Sequence, residues 1–255
     1  MHLSGWDGIG ALKVLLKEKG IVKRERTPIE VMLFAVYDYL RGASLRRVRD
    51  GLSTARSHVA VGNWVKRFGS VVKGGIGLVN GTLPDVLVVD ETEIQVGSDT
   101  LYLWVALDPE RRAVWYVALS DLRNLLVAKS FFRAIKKTYG RYPKKVITDG
   151  GVWYPWALKR LGIEHEMMKG GVRSYIERWN ETLKDRARSF DKYHPCNKPG
   201  CDRKHIIHWI AANVFFYNHV RPHMSLSNNP PILKKDWYKL SNRMIFLKRF
   251  MEALS

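Results

Sequence analysis

The sequence predicts an α/β protein, in which a mixed five-stranded sheet with flanking helices follows a small all-α helix-turn-helix domain. Residues before Gly81 show only helical periodicity, whereas β-branched apolar runs begin after Pro84 and then alternate with helical segments. We therefore expect a helix-turn-helix domain and linker over 1–80, an α/β domain over 81–225 and a basic helical tail over 226–255.

The net charge of the chain indicates which class of partner it binds. The 255 residues include 43 Lys and Arg against 24 Asp and Glu, a formal net charge of +19. Such a field attracts polyanions, and nucleic acid is the expected partner, with a ribosome-associated or anionic-surface protein as the alternative. We find neither an apolar run of membrane-spanning length nor a secretory signal pattern, and two cysteines fit a reducing cytoplasm.

Three helices are predicted in the first segment. The stretch Thr27–Leu40 has a wide apolar face, with Thr27 as its cap and Pro28 at its first position. A short helix capped by Ser44 follows, and a third helix is expected to end at Gly69. This order is typical of a helix-turn-helix, although a plain three-helix support domain fits too. The side chains predicted to face a DNA groove are Arg56, Ser57, His58, Asn63, Lys66 and Arg67.

The second segment predicts three strands, a helix, a strand, a helix, a strand and a helix. The segments are, in turn, DVLVVDETEIQV, TLYLWVALD, RAVWYVALS, residues 124–139, KKVITDGG, YPWALKRLG, IEHEMM and VRSYIERWNETLKDRARSF. The second and third strands are expected to form an antiparallel hairpin. An aromatic helix over 204–219 and a basic amphipathic helix over 236–255 complete the prediction.

Three acids lie at the ends or centres of these elements. Asp90 lies within the first strand, Asp149 ends the fourth strand, and Glu177 lies on the last helix of the second segment. In such a sheet the first and fourth strands are neighbours and the helix packs across them, so the three acids can converge. Clustered carboxylates suit two Mg²⁺ or Mn²⁺ ions, which serve phosphodiester chemistry.

The helix that carries Glu177 is strongly basic. Arg173, Glu177 and Lys184 lie on one helix face, so Glu177 is expected to reach a metal while the two basic residues hold phosphates. Glu181, one turn further, is the reserve candidate. The alternative is an ordinary surface helix with Glu–Lys pairs.

Several motifs together resemble a known family, the DDE transposases of insertion sequences. The motifs are VVDET, VITDGG, YIERWNETLKDR and FFYNHVRPHMSL, in that order, with GASLRRVRDGL and NWVKRFG before them. The resemblance covers roughly Thr27–Ile232 and is closest to the insertion-sequence-six group, including its archaeal members.

The resemblance implies an RNase H-like catalytic fold with two Mg²⁺ or Mn²⁺ ions, held by Asp90, Asp149 and Glu177 as the catalytic acids. It implies cleavage of 3′ ends at the terminal repeats of an element, strand transfer into target DNA, and at least a homodimer in a prokaryotic, nucleoid-associated setting. Asn180 and Lys184 match polar and basic positions of the family helix, and with Arg173 they are expected to contact DNA. Glu177 follows Asp149 by 28 positions, which is shorter than the usual family interval.

Other readings stay open. The fold could serve a catalytically inactive DNA-binding regulator, or an RNase H-like nuclease without strand transfer. Cys196 and Cys201, with His194, His205 and His208 nearby, could bind zinc or be free or bridged thiols. A serine hydrolase and a zinc protease are not supported, because GxSxG and HExxH motifs are missing from the sequence.

Residues near the second and fourth motifs have two explanations each. His219, Arg221 and His223 could contact DNA, or form a structural turn held by Pro222. Trp153 and Trp156 could stack on an unpaired base, but we expect both to be packed.

Overall fold

The computed structural model describes residues 8–22, 25–72, 81–96, 99–168, 171, 173–187 and 203–254. The chain divides into two compact units, one formed by Met1–Lys73 with His208–Ser255 and the other by Gly74–Ile207. In chain order the helices and strands are α1 (Gly8–Glu18), α2 (Ile29–Arg41), α3 (Leu45–Asp50), α4 (His58–Val72), β1 (Val86–Val96), β2 (Asp99–Leu107), β3 (Val114–Ser120), α5 (Leu125–Tyr139), β4 (Lys145–Thr148), α6 (Trp153–Leu161), β5 (Glu164–Met167), α7 (Arg173–Ala187), α8 (Arg203–His219) and α9 (Asn242–Leu254).

The compact units do not follow the three segments predicted from sequence. The boundary falls at residues 207 and 208, within α8, and residues 226–255 share a unit with the N-terminal helices. The functional division into 1–80, 81–225 and 226–255 stays a prediction. Among the described residues, the helices are all too short or too polar to traverse a lipid bilayer.

The helical unit contains the predicted order of a long, a short and a third helix. Helices α2, α3 and α4 pack on one another, and α9 packs on α1, α2 and α4. An aromatic cluster joins them, since the ring of Phe68 lies 5.2 Å from Phe246 and 4.5 Å from Phe250. Because burying a phenylalanine contributes roughly 1.5–3 kcal/mol, α9 is part of this core and not an exposed tail.

Two local predictions in this unit need correction. The Ser44 side chain caps α3 as predicted, but Thr27 does not cap α2, because Pro28 occupies that position and the Thr27 hydroxyl accepts a hydrogen bond from Arg56. Helix α4 also continues through Gly69 to Val72. Gly69 has a packing reason, since a Cβ there would lie 2.0 Å from the His208 carbonyl oxygen.

The second unit contains the predicted mixed five-stranded sheet. Its strand order is β3-β2-β1-β4-β5, with β1, β2 and β3 antiparallel and with β4 and β5 parallel to β1. Strand β1 alternates sides at its carboxyl half, and its residues Leu87, Val88 and Val89 are fully buried. This order, three antiparallel strands followed by two parallel ones with helices between, is the RNase H-like arrangement, so the predicted fold class is confirmed.

Helices cover the sheet and define its two faces. Phe131 of α5 and Tyr154 of α6 pack against Trp104 of β2, at centroid distances of 5.9 and 5.8 Å. Asn124 caps α5 by accepting hydrogen bonds from the Leu126 and Val127 amides. Helix α7 packs on β1 instead. Of the predicted acids, Asp90 lies within β1 and Asp149 directly follows β4.

Candidate active site at the carboxyl edge of the sheet

Asp90 and Asp149 are brought together by strand pairing. Strands β1 and β4 run parallel, with Val88 opposite Ile147 as the last paired residues. Asp90 lies two residues after Val88, and Asp149 lies two residues after Ile147. The register therefore directs both carboxylates to the same edge of the sheet. Their proximity has an electrostatic consequence, because the negative charges of Asp149 and Asp90 both raise the pKa of Glu91.

A tight turn holds Asp149 at this edge. The Asp149 carboxylate accepts a hydrogen bond from the Gly151 amide at 3.0 Å, and the Thr148 hydroxyl accepts one from the Gly150 amide at 3.2 Å. Gly150 has a φ of 90°, and a Cβ there would lie 2.6 Å from the terminal methyl of Met167. Both facts require glycine after the aspartate, which accounts for the Asp-Gly-Gly sequence.

Helix α7 reaches Asp90 from the opposite side of the sheet to α6. The Asn180 side-chain amide donates a hydrogen bond to the Asp90 carboxylate at 3.0 Å. Ile176, Trp179 and Leu183, at spacings of three and four, are the buried face that seats the helix on the sheet. The contact spans 90 residues of sequence, so the convergence of the first strand and the last helix of this unit is a property of the fold.

Glu177 lies on the same helix, one turn before Asn180, and its side chain is exposed. Among the described residues, the structure contains no cluster of three or more His, Cys, Asp or Glu side chains arranged to hold one ion. The structure therefore unites Asp90, Asp149 and Asn180, while the participation of Glu177 stays a prediction. Glu181 and Lys184 are exposed on α7, and the Arg173 side chain lies outside the described residues.

Oxygen donors suited to a hard cation are present at this edge. Asp90 and Asp149 supply two carboxylates, and Asn180 is 7 % exposed with an amide oxygen that is buried without a hydrogen-bond partner. Mg²⁺ and Mn²⁺ bind carboxylate and amide oxygens, together with water and substrate phosphate. The residues present thus fit a divalent ion, which would offset the repulsion between the two aspartates.

Glu91 is a half-buried acid at this site that the sequence did not predict. Burial raises its pKa to about 7, the hydroxyl of Tyr154 donates a hydrogen bond to it and opposes the rise, and the charges of Asp149 and Asp90 add to it. Burial and the neighbouring acids raise the pKa of Tyr154 as well. The only sequence signal was the acid directly after Asp90, whose side chain must point to the other face of the strand.

The two tryptophans after Asp149 differ. Trp153 is half-buried, and the guanidinium of Arg123 lies 5.4 Å from its ring centroid and 5.2 Å from that of Tyr102. Trp156 is 61 % exposed, with the Lys159 ammonium 5.9 Å from its ring centroid. The expectation that both would be packed is wrong for Trp156, because it faces outward from α6 between buried Tyr154 and Ala157.

The predicted DNA-facing residues of the helical unit are mostly accessible, with one exception. Ser57, Asn63 and Arg67 are exposed, and His58 and Lys66 are half-buried. Arg56 is engaged within the protein, because its guanidinium donates to the Thr27 hydroxyl at 2.5 Å and to the Arg26 and Ala55 carbonyls. It holds the segment before α2 against the segment before α4, so its predicted DNA contact competes with this internal role.

A basic cleft of about 850 Å³ lies beside these residues in the helical unit. Its charged lining consists of Lys19, Arg26, Arg56 and Arg67, and Trp64 forms part of its wall. A cleft with four cationic groups attracts phosphate, which agrees with the predicted nucleic-acid partner.

The remaining predicted sites have mixed outcomes. Cys196, Cys201 and His194 lie outside the described residues, so the zinc hypothesis stays a prediction. Burial lowers the pKa of His219 to about 3, with a smaller contribution from Arg249. The His223 amide donates to the Asn229 carbonyl at 3.1 Å, which favours a structural turn over DNA contact.

The chain has detectable sequence similarity to known proteins. A family model described as a DDE domain matches residues 85–196. The uncharacterized protein MJ0017 of Methanocaldococcus jannaschii is 34 % identical over 215 residues, which cover 84 % of this chain and 97 % of that protein.

Solved structures with a similar fold are more distant. A chain of the simian T-cell lymphotropic virus intasome in complex with PP2A regulatory subunit B56 gamma is 17 % identical, with a TM-score of 0.45, over 77 % of this chain and 71 % of that chain. The HTLV-2 integrase catalytic core domain in complex with magnesium is 19 % identical, with a TM-score of 0.42, over 60 % and 96 %.

The family match covers the strands and the turn that carry Asp90 and Asp149, and the archaeal relative extends the similarity over most of the chain. The chain belongs to the DDE transposases of insertion sequences, a family of polynucleotidyl transferases, in the insertion-sequence-six group that its motifs indicated.

Proposed function

We propose that this transposase cleaves the 3′ ends of its insertion sequence and joins them to target DNA, in a reaction that depends on two Mg²⁺ or Mn²⁺ ions. The observation that carries the proposal is the meeting of Asp90, Asp149 and Asn180 at one edge of the sheet. Double-stranded DNA is the substrate, as terminal repeats and as target, and the working form is a homodimer or larger assembly in the cytoplasm.

Each residue of the site has a defined task. Asp90, Asp149 and Glu177 hold the ions, and Asn180 orients the Asp90 carboxylate through its amide hydrogen bond. Bound there, the ions supply activation of the attacking oxygen and stabilisation of the leaving oxygen of a phosphodiester. Arg173 and Lys184 on α7 hold the phosphates on either side, while Ser57, Asn63 and Arg67 on the helical unit contact the terminal repeat.

A second candidate function is a DNA-binding regulator without catalysis. The observation that favours it is the exposed position of Glu177, together with the short interval from Asp149. An RNase H-like nuclease is distinguished from both by cleavage without joining.

The test of the main proposal is Asp149→Asn in the full chain. Cleavage of a DNA duplex that carries an element end should fall by more than about 100-fold, because even outer-shell partners of a metal are typically worth 10- to 100-fold. Affinity for the same DNA should stay within about twofold, because phosphate contacts dominate it.

Glu110→Gln is the matched control, since it removes one exposed acid from the same unit at the turn between β2 and β3. Cleavage retained by purified Asp149→Asn would contradict the assignment. Cleavage by the wild type without joining of the cut 3′ end to a second duplex would favour the nuclease. Absence of both cleavage and joining would favour the regulator.

A further inference from the structure

Arg112 has a backbone conformation that its residue type rarely adopts. Its φ is 58°, in the left-handed region, where glycine, asparagine and aspartate are the usual residues. It closes the turn between β2 and β3, and a left-handed arginine in a tight turn persists only when the surroundings hold it. The position therefore calls for an account of what its side chain does.

The turn that presents Arg112 is itself firmly built. Asp108 is buried, and its carboxylate accepts hydrogen bonds from the Glu110 amide at 2.8 Å and the Arg111 amide at 3.1 Å. The Asp108 amide donates to the Ala113 carbonyl at 2.8 Å. The backbone around Arg112 is thus fixed to the central sheet, so its side chain starts from a rigid base.

The side chain reaches across to the first turns of α7. The Arg112 guanidinium lies 4.4 Å from the ring centroid of Tyr175 and donates to the Tyr175 hydroxyl at 3.5 Å. The two residues are 63 positions apart, and both side chains are half-buried. Stacking of a guanidinium on an aromatic face is a directional contact, which fixes the ring as well as attracting it.

Two side-chain contacts, at Tyr175 and at Asn180, consequently attach helix α7 to the sheet and its β2–β3 turn. Arg112 holds Tyr175, and Asp90 holds Asn180 five residues later. Glu177 lies between them and is exposed, so the position of α7 sets where its carboxylate can project. Buried Ile176 and Trp179 seat the helix on the sheet, and the two polar contacts add directional restraints to this packing.

We propose that Arg112 is a positioning residue that, by holding Tyr175, sets the axial position and rotation of α7 and so the place of Glu177 in the active site. The inference rests on the proposed function for the role of Glu177 alone. The left-handed arginine is kept, on this account, because no glycine could make the contact.

The decisive variant is Arg112→Gly, because glycine relieves the left-handed backbone while it removes the contact. We expect an unfolding temperature equal to or above that of the wild type, and faster hydrogen exchange of the α7 backbone amides Glu177–Asn180 without metal. Turnover in DNA cleavage should fall about 10-fold with unchanged DNA affinity, since small misplacements of catalytic groups can cost up to about 100-fold.

Two further comparisons make the test specific. Arg111→Gly removes the same charge from the neighbouring, exposed position and should leave α7 exchange and turnover unchanged. Tyr175→Phe keeps the ring and should behave nearly as wild type, whereas Tyr175→Leu should match Arg112→Gly. The double variant Arg112→Gly with Tyr175→Leu should lose no more turnover than either single variant.

Unchanged exchange across α7 in Arg112→Gly would overturn the proposal. Weakened DNA affinity with unchanged exchange would overturn it too, because Arg112 would then be a DNA contact. If the wild type fails to cleave DNA, the proposed function fails, yet the exchange and unfolding measurements still decide whether Arg112 holds α7.

Discussion

Asp90 and Glu91 are adjacent acids on one strand, and their surroundings differ on every count. Asp90 faces α7, where the Asn180 amide donates to it and a buried amide oxygen lies beside it. Glu91 faces α6, where it is half-buried against Tyr154 with a pKa raised to about 7. Strand alternation thus separates an acid that accepts a hydrogen bond from a side-chain amide from one that is about half protonated at neutral pH.

This difference shows how the fold limits the number of ionised carboxylates at this edge of the sheet. With Asp149 alongside, three ionised carboxylates would repel one another strongly unless a cation were bound. Below neutral pH the raised pKa keeps Glu91 largely protonated, so this group adds little negative charge next to Asp90 and Asp149. Burial of Glu91 on the opposite face of the sheet therefore limits the charge at the site, whereas the hydrogen bond from the Tyr154 hydroxyl acts against this effect.

The largest expected effect comes from neutralising Asp90 and Glu91 in separate variants, which tests whether the two acids differ in function. Asp90→Asn should lower DNA cleavage by more than about 100-fold, because it removes a carboxylate predicted to bind the ions. Glu91→Gln should lower it by less than about fivefold, because an amide resembles a protonated carboxyl in shape. Steady-state cleavage of a labelled element end near pH 7 measures both, and equal losses in the two variants would contradict the division of roles.

A smaller effect is expected when the support of Asp90 is removed. Asn180→Ala should lower cleavage by about 10- to 100-fold, the usual range for a residue that orients a metal ligand. Asn180→Asp places a third acid beside Asp90 and should unfold at a lower temperature than Asn180→Ala without divalent ions. Thr182→Ala, on the same helix, is the control, and cleavage equal to wild type in Asn180→Ala would show that Asp90 needs no orientation.

The smallest effect concerns stability and pH at Glu91. Its folded pKa, about 7, is above the ordinary value of 4.5, so the folded state binds more protons than the unfolded state between these values. This group therefore makes the protein less stable as pH rises from about 4.5 to 7, with no further change above. Without divalent ions, the unfolding temperature of the wild type should fall more over this window than that of Glu91→Gln, and parallel curves would refute the assignment.

Tyr154→Phe tests the hydrogen bond to Glu91 through the same measurement of unfolding. Losing the hydroxyl that donates to Glu91 should cost about 1–3 kcal/mol of unfolding free energy, since a partly buried acceptor is left without its donor. Tyr139→Phe is a matched control, because the half-buried Tyr139 also donates a hydrogen bond through its hydroxyl, to the Trp115 carbonyl at 2.7 Å.

The sheet was predictable because its signals are local. The β-branched runs, the hairpin and the strand that stops at Asp149 each follow from neighbouring residues, and the convergence of Asp90 with Asp149 follows from strand order. The contact of Tyr154 with Glu91, and that of Arg112 with Tyr175, each join residues 63 positions apart. Such contacts depend on helix placement, which periodicity alone does not determine.

The helical unit shows the same limit. Glycine often terminates helices, so Gly69 predicts a helix end, yet α4 runs through it, and the close approach of the His208 backbone accounts for the glycine. The lysines and arginines of the last helix predict a basic tail. Its apolar residues Ile245, Phe246 and Phe250 decide its place, since they are buried in the unit that contains α4.

The close approach at Gly69 bears on how this gene could be divided. Phe68 packs against Phe246 and Phe250, and the backbone at His208 leaves no room for a side chain at residue 69. An open reading frame interrupted after the first 80 codons would encode a fragment without α9, which belongs to the same compact unit as α1 to α4. Transfer of this helical unit onto another protein must therefore carry both ends of the polypeptide.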